Sequence, residues 1–361
     1  MNVIDQMTAK LGYNEYVQSK QTFHETYGFE PKSLNACLFD WQAEVVRWAL
    51  RKGRACLFED CGLGKTIQQL AWAEQIPGDV LVLTPLAVAE QTANEAKRFR
   101  IDAEVSRDGT KHAQITITNY EQMHRFDLDA FTGLVLDESS ILKAQTGKIR
   151  TGHSDSIWHH NIPYRLACTA TPAPNDHIEL GNHAEFVGSM TTSEMLARFF
   201  VHDAAKTQDW RLKGHAKADF WEWVATWALM IRTPEDIGFD GSDFVLPELT
   251  TVEHHVTTDT VQDGELFAMP VLALNDQRRA RKNTIETRVA EVAALANSSD
   301  EQWIIWCELN TEGDALADAI PDAVQVAGSD NDDVKRERLL SFQSGDSRVL
   351  VTKPKIGGFG M

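Results

Sequence analysis

The feature that most constrains this chain lies at residues 55–75. An apolar run, Ala55 to Phe58, leads into EDCGLGKT and then into IQQLAWAEQ, whose apolar residues fall at helical spacing. Strand, glycine loop and helix in direct succession make half of a βαβ unit, and such units assemble into a parallel sheet between helix layers. The alternation recurs, with DVLVLT as strand, AVAEQTANEAKRF as helix, ITIT, GLVLDE and YRLACTAT as strands, and DHIELGNHAEFV as helix. The chain therefore reads as α/β, a parallel sheet with helices on both faces.

Around this core the pattern changes. Residues 1–33 are mixed and polar and form an N-terminal extension of unclear role. From Leu38, Trp41, Val45, Trp48 and Ala49 share one helical face, and Gly53 sits where such a helix would stop. Between about Met190 and Ile237 strand signals vanish. Phe220, Trp223, Trp227 and Ile231 fall at helical spacing there, which predicts a helical insertion packed through its aromatic residues. FVLPELTTVEHHVTTDT reads as an extended connection plus a strand, followed by a helical stretch from about Asp263 to Ala296. QWIIWC, AVQVA and RVLVT are short buried strands separated by helical patterns, the start of a second α/β lobe that stops at KPKIGGFGM. The expected division is 1–33 extension, 34–189 first lobe, 190–245 insertion and 246–361 linker with an incomplete second lobe. With 361 residues the chain has room for two cores, since one core stops growing at roughly 250–300 residues.

Composition excludes some classes. With 43% hydrophobic and 24% charged residues the chain is an ordinary globular protein, and no apolar run approaches the roughly 18 residues of a membrane span. No signal-peptide pattern opens it, so a cytoplasmic location is expected. A formal charge of −18 argues against a protein that coats nucleic acid non-specifically, so any such contact is local. Cys37, Cys56, Cys61, Cys168 and Cys307 lack CxxC spacing and read as reduced thiols, mostly in the core.

The glycine loop carries chemistry. Gly62 and Gly64 let the backbone approach a phosphate chain, Leu63 sits between them, and the amides of the helix opening at Lys65 point their positive end at it. Lys65 supplies a point charge for the β- and γ-phosphates, and the Thr66 hydroxyl is the expected magnesium ligand. The match to GxxxxGK[ST] is partial, because Glu59 stands at the first glycine position. Downstream, GLVL runs into Asp137, Glu138, Ser139 and Ser140. Paired carboxylates at a strand end can divide the work: Asp137 holds the metal, and Glu138 orients and deprotonates the attacking water.

At this point the ordered motifs resemble the Swi/Snf-type branch of superfamily two helicases, over roughly residues 38–361. LFDWQAEVVRWA resembles the glutamine motif of that family, implying that Gln42 reads the adenine edge. EDCGLGKTIQ resembles the branch's phosphate loop, which also lacks the first Walker glycine. LVLTPLAVAEQTANEAKRF and ITNYEQM look like its strand-binding blocks, implying nucleic-acid contacts near Thr84, Pro85, Asn119 and Tyr120. LDESSILK is similar to the DEAH-like block with a following lysine, Lys143, and LACTATPAPN to the coupling block, with Thr169 and Thr171 linking nucleotide state to grip. Ser139 and Ser140 depart from the family's usual alanine or glycine and histidine, which puts the coupling route in doubt.

WIIWCELN, VAGSDNDDVKRERLLSFQSG and VLVTKPKIGGFGM resemble the opening blocks of the family's second lobe, implying Lys353 as a nucleic-acid or coupling contact and Gly358 as a nucleotide contact. The resemblance implies two RecA-like lobes, ATP and Mg2+ as ligands, and DNA, duplex or single strand, as partner. The final block, with arginines that reach the γ-phosphate, has no counterpart. Such arginines contribute roughly 10³–10⁵ in related chemistry, so this polypeptide is expected to bind ATP better than it hydrolyses it.

Candidate positive tracks are Lys143, Lys148 and Arg150; Arg278, Arg279, Arg281 and Lys282; and Lys353 with Lys355. Each could equally be solvated surface. Contacts through hydroxyls and amides would grip the backbone with little base reading. The leading reading is a DNA-stimulated ATPase that moves along DNA. The alternatives are the motor part of a restriction or repair assembly, and an ATP-dependent clamp or recruitment module without efficient hydrolysis.

Overall fold

The computed structural model describes residues 27–31, 33–86, 88–143, 161–202, 210–256 and 280–358. Helix α1 (Asp40–Lys52) buries Trp41, Val45 and Ala49 as their spacing predicts, together with Gln42, Val46 and Leu50. Trp48 stays half-buried. The helix stops at Gly53, where φ is 71° and an added Cβ would meet the backbone of Tyr27 and Gly28 at 2.6 Å. Only glycine fits that turn.

β1 (Arg54–Glu59) comes next, then α2 (Lys65–Gln75), β2 (Val80–Thr84), α3 (Ala89–Phe99), β3 (Ala103–Val105), β4 (Ile115–Asn119), β5 (Gly133–Leu136) and β6 (Tyr164–Cys168). After them come α4 (Leu180–Val187), α5 (Thr192–Phe199), β7 (Phe200–His202), β8 (Trp210–Leu212), α6 (Lys217–Ala225) and β9 (Ala228–Ile231). Seven strands form one sheet in the order β3-β4-β2-β5-β6-β1-β9. The registers of β1 with β6 and β9, β5 with β6, and β3 with β4 are parallel. Successive side chains on β1 point to opposite faces, and they meet different helices. Phe58 lies edge-on to His183 of α4 at 5.1 Å, whereas the Glu59 carboxylate accepts from Gln68 of α2 at 2.8 Å. Helices therefore cover both faces, as the alternation predicts.

By internal packing the chain divides into two compact units, residues 1–80 with 128–240 and residues 81–127 with 241–361. In the first, Phe220 is fully buried among Phe199, Phe200, Trp221 and Trp223, with ring centroids 5.2–5.7 Å apart. The stretch from Met190 to Ile237 is not free of strands. β7 and β8 pair antiparallel, and β9 pairs with β1, Phe58 opposite Met230 and Glu59 opposite Ile231. Helix α6 ends at Ala225, so Trp227 and Ile231 are buried from a turn and a strand rather than from one long helix. A four-residue apolar run satisfies either period, and the open edge of β1 decides in favour of pairing.

In the second unit, α7 (Ile285–Asn297), β10 (Trp303–Trp306), α8 (Asn310–Ala319), β11 (Ala323–Val326), α9 (Asp332–Ser344), β12 (Val349–Thr352) and α10 (Pro354–Gly357) alternate. The three strands form a parallel sheet in the order β10-β12-β11. Val349 and Val351 face Val289, Ala293 and Leu316 of α7 and α8, while Leu350 faces Leu339 and Phe342 of α9. Strands and helices alternate here as the sequence pattern over 303–352 does, but the compact unit also takes in residues 81–127, which the expected division gives to the first lobe. Residues 245–256 carry no strand, and the expected helical residues 263–279 lie outside the described ones.

Among the described residues no helix is long and apolar enough to cross a membrane. All five thiols are free; Cys56, Cys168 and Cys307 are buried, and Cys37 and Cys61 are exposed.

Candidate nucleotide site

The loop from Asp60 to Gly64 emerges from the end of β1 and is largely open to solvent, with only Leu63 buried. Gly62 and Gly64 take φ of 80° and 72°, and a Cβ on Gly64 would lie 2.7 Å from Gln42 Nε2. Both requirements exclude a side chain at Gly64. Gly64 caps α2 without any side-chain hydrogen bond, so the first amides of the helix keep their donors and positive end for an external acceptor.

Two buried glutamines hold this loop. Gln42 donates from Nε2 to the Leu63 carbonyl at 2.9 Å and accepts from the Phe39 amide at 3.1 Å, and Gln68 donates to the same carbonyl at 3.2 Å. Gln42, expected to read an adenine edge, thus braces the glycine loop from α1. Lys65 opens α2 and folds back, donating from Nζ to the carbonyls of Glu59 at 3.1 Å and Asp60 at 3.0 Å. Thr66 follows it, half-buried.

The acidic pair closes the opposite side. Asp137 is buried at the end of β5 and accepts from Gln69 Nε2 of α2 at 2.7 Å. Burial pushes its pKa up to about 6, against the pull of the Gln69 hydrogen bond; the Glu138 charge adds to the rise, and Lys65 opposes it. Glu59 is pushed up to about 7 by burial, opposed by Lys65 and Gln68. One ammonium therefore acts on both buried carboxylates. Glu138 itself holds φ of 49°, a left-handed conformation that costs a non-glycine residue roughly 1–3 kcal/mol and persists only where its surroundings dictate it. Thr169, just past β6, donates from Oγ1 to Glu138 Oε2 at 3.3 Å and accepts from the Thr171 amide at 3.1 Å.

The turn after the pair is clamped by α4. Ser139 Oγ and His183 Nε2 share a hydrogen bond of 3.0 Å, and Asn182 Nδ2 donates to the Leu142 carbonyl at 2.6 Å. Burial drives the His183 pKa down to about 4, so the ring is neutral. An imidazole thus reaches this turn from another helix.

Of the expected site residues, Lys65, Asp137, Glu138 and Thr169 lie in one neighbourhood. Thr66 adjoins them along α2, and Thr171 is exposed at the same turn. Gln68, Gln69 and His183 are not among the expected site residues, and Glu59 is expected only as a departure from the glycine pattern; the sequence signal for the glutamines is their adjacency inside the otherwise apolar run IQQLAWA.

Several predicted contacts are committed within the chain. In the second unit, Thr84 donates to the Pro85 carbonyl at 3.1 Å, Asn119 donates to Glu121 at 2.7 Å, and Tyr120 is buried. Lys143 ends a 3-10 turn. Lys353 caps α10, whose end falls at Gly358; Lys355 and Lys282 are exposed, and Arg281 pairs with Glu308. Lys148, Arg150, Arg278 and Arg279 lie outside the described residues.

No family model matches the sequence, and no curated protein matches it. Among solved structures, the SWI2/SNF2 ATPase core of Sulfolobus solfataricus in complex with dsDNA is similar at 20% identity, over 90% of this chain and 80% of that one, with a TM-score of 0.49. The UvsW helicase of bacteriophage T4 is similar at 14% identity, over 50% of this chain and 67% of that one, with a TM-score of 0.34. At these scores the fold rests on its own strand order and the site on its own side chains.

Proposed function

We propose that this chain is an ATP-driven nucleic-acid motor of the Swi/Snf type, in which ATP hydrolysis at the β1 loop is stimulated by DNA and coupled to movement along it. The observation that carries this reading is the meeting of the lysine loop with the acidic pair. α2 bears Lys65 at its first turn and reaches Asp137 through Gln69, and the Lys65 charge acts on Asp137 itself.

The donor set fits a magnesium nucleotide. The uncapped amides of α2 and the Lys65 ammonium suit a phosphate chain, and the Thr66 hydroxyl and Asp137 carboxylate are the hard oxygen donors that magnesium takes. A bound magnesium ion would withdraw charge from the β- and γ-phosphate oxygens. Burial raises the Asp137 pKa to about 6, and such a cation beside it would stabilise the anion, which fits Asp137 to the metal. Glu138 then orients the attacking water and takes its proton. Thr169, hydrogen-bonded to Glu138, ties the acid to the turn that carries Thr171. With a net charge of −18, contact with DNA is confined to local groups and runs through phosphates, with weak sequence preference.

ATP turnover with and without duplex DNA tests the reading. DNA is expected to raise the rate, Lys65→Ala to weaken ATP binding, and Glu138→Gln to bind ATP but not hydrolyse it. Turnover indifferent to DNA and to both substitutions would defeat the proposal.

A further inference from the structure

Glu138 occupies a left-handed conformation, and three contacts from one stretch of chain bear on it. Thr169 holds its carboxylate, His183 holds the hydroxyl of the next residue, Ser139, and Asn182 holds the Leu142 carbonyl at the end of the same turn. Thr169 directly follows β6, and Asn182 and His183 sit in the next α-helix, α4, so one stretch of chain supplies all three contacts. The imidazole is anchored in turn. It is fully buried and lies edge-on to Phe58 of β1, the strand that ends in the phosphate loop.

A buried histidine in an apolar layer is usually replaceable by a hydrophobe. This one spends its Nε2 on a hydroxyl that is itself buried, one residue from the proposed base. Among the described residues the neighbouring Ser140 hydroxyl has no hydrogen-bond partner, and the ring bonds to Ser139. That contact lies outside the glycine loop and bears on the residue that follows Glu138.

We propose that His183 is a positioning residue for Glu138, acting through Ser139: its ring fixes the turn in which the left-handed backbone aims the carboxylate at the attacking water. This rests on the ATPase reading above. A misplacement of about 1 Å at a reacting group costs up to ~10²-fold in rate, so loss of the contact reads out in kcat and not in nucleotide binding.

The test uses the full chain with Ser139→Ala, His183→Leu, their double variant and His183→Gln. ATP affinity, KM, kcat in the presence of DNA, and melting temperature are measured for each. Ser139→Ala and His183→Leu are expected to lower kcat about 10–100-fold with ATP affinity within about twofold of wild type. The double variant should fall no further than the worse single, because both remove one contact. His183→Gln, which keeps a hydrogen-bonding group, should recover most of the rate. Ser139→Ala removes one oxygen and carries the test if His183→Leu does not fold. Wild-type kcat in Ser139→Ala, losses that multiply in the double variant, or a loss of ATP affinity matching that in kcat would each overturn the inference while leaving the ATPase reading intact. A wild-type chain with no turnover sensitive to Glu138→Gln overturns both.

Discussion

Gln69 donates from Nε2 to Oδ1 of Asp137 at 2.7 Å, so the helix that opens with Lys65 also supplies the partner of the buried carboxylate at the end of β5. Replacing Gln69 by Leu removes the hydrogen bond that offsets burial and moves the Asp137 pKa further up. Breaking a hydrogen bond to a buried charged group costs roughly 1–3 kcal/mol, which denaturant titration will read. In the proposed reading, magnesium-dependent ATP binding weakens as well, and more at pH 6 than at pH 8, because the protonated acid does not bind the metal. Equal weakening at both pH values would count against Asp137 as the ligand.

The pH dependence of stability has a defined sign. Folded Glu59 titrates near 7 against an ordinary 4.5, and folded Asp137 near 6 against 3.8, so between those values the native state binds more protons than the unfolded chain. Without ligand, their contribution to stability is greatest below about pH 4 and is lost as pH rises to about 7. Glu59→Gln removes one of the two groups. Its melting temperature is expected to exceed that of wild type above pH 7 and to converge with it near pH 4, the gap amounting to about 3 kcal/mol at most.

Gln42 offers a way to separate bracing from base reading. Its carboxamide holds the Leu63 carbonyl and the Phe39 amide. Gln42→Leu is therefore expected to weaken ATP and GTP binding in the same proportion, since a slack loop harms any triphosphate. A selective loss of ATP, measured by competition, would restore Gln42 to the adenine edge.

Phe220 is the hub of the aromatic cluster formed by α5, α6 and β7, with centroids of Phe199 and Phe200 at 5.5 and 5.6 Å. Phe220→Ala leaves a cavity in a fully buried position and should cost about 3–5 kcal/mol by chemical denaturation. Phe39→Ala, on a side chain that is 55% exposed, is expected to cost less than about 0.5 kcal/mol.

Local spacing determined a good deal of this protein. Apolar runs bounded by turns marked β1, β2, β4, β5 and β6, helical periodicity marked α1, α2, α3 and α4, and the glycines of the loop located the strand-to-helix turn that carries Lys65. These signals are legible because they record which face of an element meets apolar neighbours, a property of residues close in the chain. Other features depended on which elements became neighbours. β9 took the edge of β1 because that edge lay open, and the order β5-β6-β1 drew α2 and α4 to opposite sides of the acidic pair. Gln69 reaches Asp137 across 68 residues and His183 reaches Ser139 across 44. A buried polar side chain finds whatever donor or acceptor the packing brings within about 3 Å, and no spacing within one element encodes a partner supplied by another.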